Sequence, residues 1–300
     1  MDYIEHQGYK IRETFNKKFL ILSEAKNFDV VINYMNSENI TGLELNYRFG
    51  FTEQGLLNLS SFSFIEHLNI LNHNIKDITP IHGFSNLKTL IIQTEDKTPI
   101  DFKCFPKLVH CSLRWRKGAE SLYDCHSLKH LSIRHYKERT LRKLKKLNNL
   151  IYLGVANSGT IESLKGVEEL QTLLHLELHY LTKLTSLKYL ESCTDLSELR
   201  IGKCRKITSI DPIIKLRNLE VLQLDGIGEI SSLAPLASLE KLAYLYFGDT
   251  TKVMDGDMSV LLKIKSLEKV IFPNKKSYTH TGEQIINQLE SKWKNTENTQ

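Results

Sequence analysis

Residues 196–224 read LSELRIGKCRKITSIDPIIKLRNLEVLQL, and two spacings lie inside this one stretch. Leu196, Leu199 and Ile201 form an L-x-x-L-x-L pattern, which begins again at Leu219 with Leu222 and Leu224. The L-x-L end of each copy alternates as a strand does, with successive side chains on opposite faces. Between the copies, Ile207, Ile210, Ile213 and Leu216 recur every third residue. A step of three is too tight for a strand and fits a 3-10 turn or short helix. One unit is therefore a short strand, a turn and a helical return, with both segments sending apolar side chains to one core.

The same pattern extends outward in both directions. Upstream stand Ile40-Leu43-Leu45, Ile65-Leu68-Ile70, Leu87-Leu90-Ile92, Leu108-Cys111-Leu113, Leu128-Leu131-Ile133, Leu150-Leu153-Val155 and Leu173-Leu176-Leu178; downstream stand Leu242-Leu245-Phe247 and Leu267-Val270-Phe272. Return sets accompany them, such as Ile161, Leu164, Val167 and Leu170, or Ile230, Leu233, Leu236 and Leu239. That makes eleven copies at steps of 20 to 25 residues, a period that means stacked repeats sharing one continuous core.

On these motifs the chain resembles the leucine-rich-repeat superfamily over residues 40–274. The returns ITSIDPIIKL and ISSLAPLASL are similar to those of the bacterial internalin-like and SDS22-like subclass. The resemblance implies an α/β solenoid, a horseshoe of eleven repeats with a parallel concave sheet and a 3-10 or helical convex side. The family usually places Asn or Cys at the ninth repeat position. Here Cys204 fits, but His73, Glu95, Arg116, Tyr136, Ser158 and Leu181 occupy other copies, so irregular turns are expected.

Residues 1–39 read as an N-terminal cap and 275–300 as a C-terminal capping helix with a tail, because a solenoid must cover its terminal core. Tyr3, Ile4, Tyr9 and Ile11 flank His6-Gln7-Gly8 as strand, turn and strand, and Phe19–Leu22 adds another strand. Phe28, Val31, Ile32 and Met35 keep helical spacing. Thr281 to Gln284 makes a T-x-x-Q capping box, followed by Ile285, Ile286, Leu289 and Trp293 on one helical face. Residues 295–300, NTENTQ, read as a disordered tail.

Composition excludes several classes. A 41% hydrophobic and 25% charged chain is a folded, soluble one, and a net charge of +5 names no partner by itself. No apolar run nears the roughly 20 residues that span a bilayer, and the N-terminus lacks a signal-peptide core, so a cytoplasmic location is expected. Cys104, Cys111, Cys125, Cys193 and Cys204 offer neither a disulfide framework nor a zinc pattern and read as buried thiols. His175 and His179, four apart on a strand, are about 13 Å distant, too far for one metal ion. No metal or other cofactor is expected. Gly226–Gly228 lies in no βαβ unit, and no nucleophile elbow or phosphate loop appears, so no enzyme is expected.

If positions 1, 4 and 6 of a repeat face the core, positions 3, 5 and 7 face outward, with 2 and 8 at the borders. In the early copies these outward columns hold Glu44, Asn46 and His67 among others. The middle and end of this face are rich in residue types that dominate interface energetics. The candidate partner-binding residues are Arg114, Trp115, Arg134, His135, Tyr152, His175, Glu177, His179, Tyr180, Arg200, Asp225, Tyr244, Tyr246 and Asp249. Glu177 and Arg200 share a column on neighbouring strands and read as a lateral ion pair. Residues 101–150 hold thirteen Lys or Arg against four Asp or Glu; Lys137–Lys146 within them fall on a return segment and read as a solvated surface.

The reading is a non-catalytic module that binds another protein on its concave face, with a stoichiometric inhibitor or toxin-immunity role foremost. A cytosolic adaptor or regulatory scaffold is the alternative within that class. Single-stranded nucleic acid is the rival of another class, with Trp115, Tyr136, Tyr152 and Tyr180 as stacking platforms.

Overall fold

The computed structural model describes residues 3–14, 16–23, 27–248 and 250–297, with side chains of 57, 58, 60 and 292–297 left aside. The chain divides into two compact units, Met1–Ile133 and Arg134–Gln300.

The first unit opens with a hairpin, β1 (Ile4–His6) and β2 (Tyr9–Thr14), turned at Gln7 and Gly8 with φ of 50° and 80°. Two residues in the left-handed region match the twist of a tight hairpin. β3 (Lys17–Leu22) pairs antiparallel with β2 and parallel with β4 (Gly42–Asn46). Helix α1 (Phe28–Ser37) connects them, its first turn capped by Asn27. It buries Val31, Tyr34 and Met35, and Tyr34 stacks on Tyr9 at 4.1 Å. From β4 the strands add in parallel: β5 (His67–Leu71), β6 (Thr89–Gln93) and β7 (His110–Arg114). β8 (His130–Arg134) ends at the division between the units.

In the second unit β9 (Tyr152–Ala156), β10 (His175–His179), β11 (Glu198–Gly202), β12 (Val221–Asp225), β14 (Tyr244–Tyr246) and β16 (Lys269–Ile271) form one parallel sheet in that order. Between them, β13 (Glu229–Ile230) and β15 (Lys252–Val253) make a small second sheet. The register sets Leu153, Leu176, Leu199 and Leu222 side by side, all fully buried. The apolar ladder of the sequence is thus the core. Eleven strands, β4 to β12 with β14 and β16, carry the repeated motif.

The return segments are 3-10 helices, as the three-residue step requires. Arg142–Lys146 is one, with Leu141, Leu144 and Leu147 buried and Arg142, Lys143, Lys145 and Lys146 exposed. That basic run is a solvated surface. Gly166 starts the next return with φ of 109°, where an added Cβ would collide with the backbone of Leu141 and Arg142.

The turns after the strands solve the missing asparagine ladder with other chemistry. The residue after each of β8, β9, β10 and β11 is left-handed: His135, Asn157, Tyr180 and Lys203, at φ of 54° to 56°. Its N–H donates to the last carbonyl of the next strand, as in His135 to Ala156 (2.9 Å) and Tyr180 to Gly202 (2.8 Å). One residue further on, Ser158 donates to the Tyr136 carbonyl at 2.7 Å and the Cys204 thiol to that of Leu178 at 3.6 Å. Thr251 donates to the Leu224 carbonyl at 2.7 Å. In the first unit Asn72, not His73, takes this role, donating to the Phe51 and Glu53 carbonyls. Arg116 instead forms a buried fork with Asp96, both contacts at 3.0 Å, and reaches Thr94.

The C-terminal capping box forms as expected. The Thr281 N–H donates to Gln284 Oε1 at 2.8 Å, and the Gln284 N–H donates to Thr281 Oγ1 at 3.2 Å. Helix α2 (Gly282–Glu297) starts against the Val270 carbonyl of β16 and buries Ile285 and Leu289. The tail expectation is corrected in part: 295–297 belong to α2, while 298–300 lie outside the described residues. Among the cysteines only Cys104 is half-buried; the other four are buried, and burial pushes Cys193 up to about 12 and Cys204 to about 11. Among the described residues no helix is long and apolar enough to cross a membrane.

Candidate functional site

The outward face of the second unit gathers most of the candidate residues, because strand alternation fixes their direction once the leucines are buried. β10 and β11 lie in register with His175 opposite Glu198, Glu177 opposite Arg200 and His179 opposite Gly202. Arg200 hydrogen-bonds through Nε to Glu198 Oε1 on its own strand, and its Nε is 3.9 Å from Glu177 Oε1. The lateral pair read from the sequence exists, but the nearer partner is Glu198. Glu198 Oε2 also meets His175 Nδ1 at 3.0 Å, and Glu177 Oε2 is 3.8 Å from His179 Nε2. Glu198 therefore joins His175 to Arg200. Glu198 is not among the site residues expected from the sequence, although its register beside His175 is a signal for it.

Two small residues let this network lie flat. The Tyr152 ring folds over Gly154, where an added Cβ would sit 2.9 Å from its hydroxyl. The His179 ring lies directly over Gly202. Burial first, and then the Glu177 carboxylate that accepts its hydrogen bond, raise Tyr152 far above the ordinary phenol range. Each charged group has an opposite or hydrogen-bonding neighbour. Such an arrangement fixes the side chains in place.

Beyond the network the face turns apolar. Tyr180 is 53% exposed, Tyr244 45%, Tyr246 38% and Ile271 48%, whereas Leu176, Leu199 and Leu222 beneath are fully buried. Tyr244 and Tyr246 sit on β14, and Ile271 directly opposes Tyr246 on β16. Asp225, at the end of β12, pairs with Lys203 at 3.0 Å. Arg134 and His135 are half-buried, and Asp249 lies outside the described residues.

In the first unit Arg114 pairs with Glu95. Trp115 corrects an expectation: it is only 9% exposed, stacked on Tyr123 with ring centres 5.5 Å apart, and does not project from the face. The earliest outward columns are corrected too. Glu44, Asn46 and His67 are buried. Arg12 lies 5.0 Å over the Phe49 ring and pairs with Glu44 at 3.0 Å, while Asn46 donates to Glu44 at 2.8 Å. The cap thus seals that part of the surface. His110 and His130 stack at 5.5 Å; burial first, then the neighbouring His130 and His67, hold His110 down to about 4. Among the described residues no three His, Cys, Asp or Glu stand together as a metal site.

With this geometry, solved structures give matches. The chain is similar to an internalin (inlF) of Listeria monocytogenes at 20% identity, covering 77% of this chain and 74% of that one, with a TM-score of 0.55. The fold is the leucine-rich-repeat fold of the internalins. A second leucine-rich-repeat structure, internalin C2 of the same organism, matches at 20% identity over 71% of this chain and 84% of that one, TM-score 0.48. A leucine-rich-repeat protein of Leptospira interrogans matches at 16% identity over 83% and 80%, TM-score 0.41. No protein-family model matches the sequence, and no curated protein does.

Proposed function

We propose that this leucine-rich-repeat chain is a non-catalytic module that binds another protein through the outward face of its second unit. The observation that carries the reading is the exposure of Tyr244, Tyr246 and Ile271 on one face of one sheet, with Tyr180 exposed just past the end of β10. Large side chains left in water add nothing to the core, and aromatic residues in clusters are what interfaces use as anchors. The interlinked network of Glu177, Glu198, Arg200 and the two histidines supplies a fixed polar surround. On this reading occupancy itself is the effect: a stoichiometric inhibitor or toxin-immunity protein is the finer reading, and an adaptor the alternative. The nucleic-acid reading loses two of its platforms, since Trp115 and Tyr136 are 9% and 1% exposed.

The test begins with a partner identified by cross-linking and mass spectrometry and then purified. Tyr180→Ser with Tyr244→Ser is expected to weaken binding by about 30-fold or more. Ile214→Ser, on the return side and equally exposed at 49%, leaves it unchanged. Unchanged affinity in the double variant, or equal loss in the control, refutes the proposal. Inhibition of the partner's activity that saturates at one to one distinguishes an inhibitor from an adaptor.

A further inference from the structure

At the carboxyl end of the sheet the strands shorten. β12 pairs with β11 through Asp225, but β14 and β16 stop at Tyr246 and Ile271. The sequence supplies both causes. Pro273, at the next outward position of the last strand, has no N–H to continue a ladder. Gly248, its counterpart after β14, has no side chain to fill the space. What remains is an open hollow of about 590 Å³ lined by Lys203, Asp225, Tyr246, Gly248, Ile271 and Pro273. The parallel Phe247 and Phe272 rings, 5.0 Å apart, also border it.

Two polar atoms converge on the bare backbone at its floor. A Cβ on Gly248 would collide with Asp225 Oδ1 and stand 3.3 Å from the Tyr246 hydroxyl. Asp225 Oδ2 is taken by the Lys203 ammonium at 3.0 Å, which holds the carboxylate in this orientation. Among the described residues neither Asp225 Oδ1 nor the Tyr246 hydroxyl has a hydrogen-bond partner. The opposite wall is apolar, with Ile271 48% exposed.

We infer that this hollow receives an arginine side chain of the protein partner; the inference rests on the protein-binding reading above. The chemistry selects among anchors. An aliphatic side chain would strip water from Asp225 Oδ1 and the Tyr246 hydroxyl and return no hydrogen bond. A carboxylate would meet Asp225 Oδ1 as a like charge, and the Lys203 ammonium that could attract it is already engaged by Asp225 Oδ2 at 3.0 Å. An arginine lays its methylenes along Ile271 and Pro273, its planar guanidinium along the Tyr246 ring, and donates to Asp225 Oδ1. The planar, weakly hydrated guanidinium suits this seat better than the compact, strongly hydrated ammonium of lysine.

The probe is N-acetylarginine methylamide, titrated into the isotope-labelled full chain and followed by amide NMR, with the leucine and glutamate analogues alongside. Saturable shifts at Tyr246 and Gly248 are expected only with the arginine probe, at a Kd in the millimolar range as befits so small a ligand. Asp225→Asn weakens it at least about fivefold, and Ile214→Ser does not change it. No saturable shift, equal binding of the leucine or glutamate probe, or full affinity in Asp225→Asn overturns the inference. Because Tyr180 and Tyr244 do not line the hollow, an arginine titration that fails while their double variant still loses the partner removes the hollow alone.

Discussion

Replacing Leu176 with alanine cuts three carbons from a side chain with no exposed surface, flanked in register by Leu153 and Leu199, also fully buried. Lost transfer free energy of about 0.8 kcal/mol per carbon, plus the cavity left between two neighbours that cannot collapse, amounts to about 3 to 4 kcal/mol. The next residue gives the contrast. Glu177 is half-exposed, at 3.8 Å from His179 and 3.9 Å from Arg200. Such pairs contribute less than about 1 kcal/mol, so Glu177→Ala costs little. The assay is urea unfolding followed by circular dichroism. With a slope near 3 kcal/mol per molar, Leu176→Ala lowers the midpoint by about 1 M and Glu177→Ala by about 0.3 M or less. A stacked array couples mainly to nearest neighbours, so the slope is recorded with the midpoint to detect loss of cooperativity. Equal shifts for both variants, or a Leu176→Ala cost below about 1 kcal/mol, would refute the assignment of inward and outward positions.

Arg116→Met leaves Asp96 ionised and buried; burial alone pushes that carboxyl up, but hydrogen bonds from Thr94 and Thr98 and the Arg116 charge outweigh it and the net direction is down. Removing the cation is expected to cost about 3 to 5 kcal/mol in chemical unfolding, and a cost under about 1 kcal/mol would sink the claim. Gly166→Ala sets a Cβ against the backbone of Leu141 and Arg142 at a φ of 109° and is expected to lower the melting temperature clearly, whereas Gly159→Ala, in ordinary space, does not. His110 binds a proton near pH 4 when folded and near 6.5 when unfolded. The unfolded state therefore takes up protons first, and stability falls as pH drops from about 6.5 to about 4, with no contribution above that window. His110→Gln is expected to flatten this fall in melting temperature; an unchanged profile would contradict it.

The repeated triplets made the fold legible because burial of one face leaves a period that survives irregular turns. The capping box at Thr281 and the hairpin around Gly8 were legible for a similar reason, since local chemistry decides them. The surface was less so. Position 8 lies past the strand end, where alternation no longer fixes direction. At that position Tyr180, left-handed at φ of 54°, turns outward, while Trp115 turns in to stack on Tyr123. Glu44 and Asn46 alternate outward as expected, yet Arg12, distant in sequence, pairs with Glu44 and helps to cover that part of the face. The hollow needed two absences, the Gly248 side chain and the Pro273 N–H, and their meaning appears only when the strands that carry them lie side by side.

The proposed function depends on which surface a protein partner touches. A photo-reactive benzoylphenylalanine placed at Tyr244 and, separately, at Ile214 of the full chain tests this in one cross-linking experiment. Capture of one protein species from Tyr244, with none from Ile214, is the expected result. Cross-links from Ile214 with none from Tyr244 would contradict it.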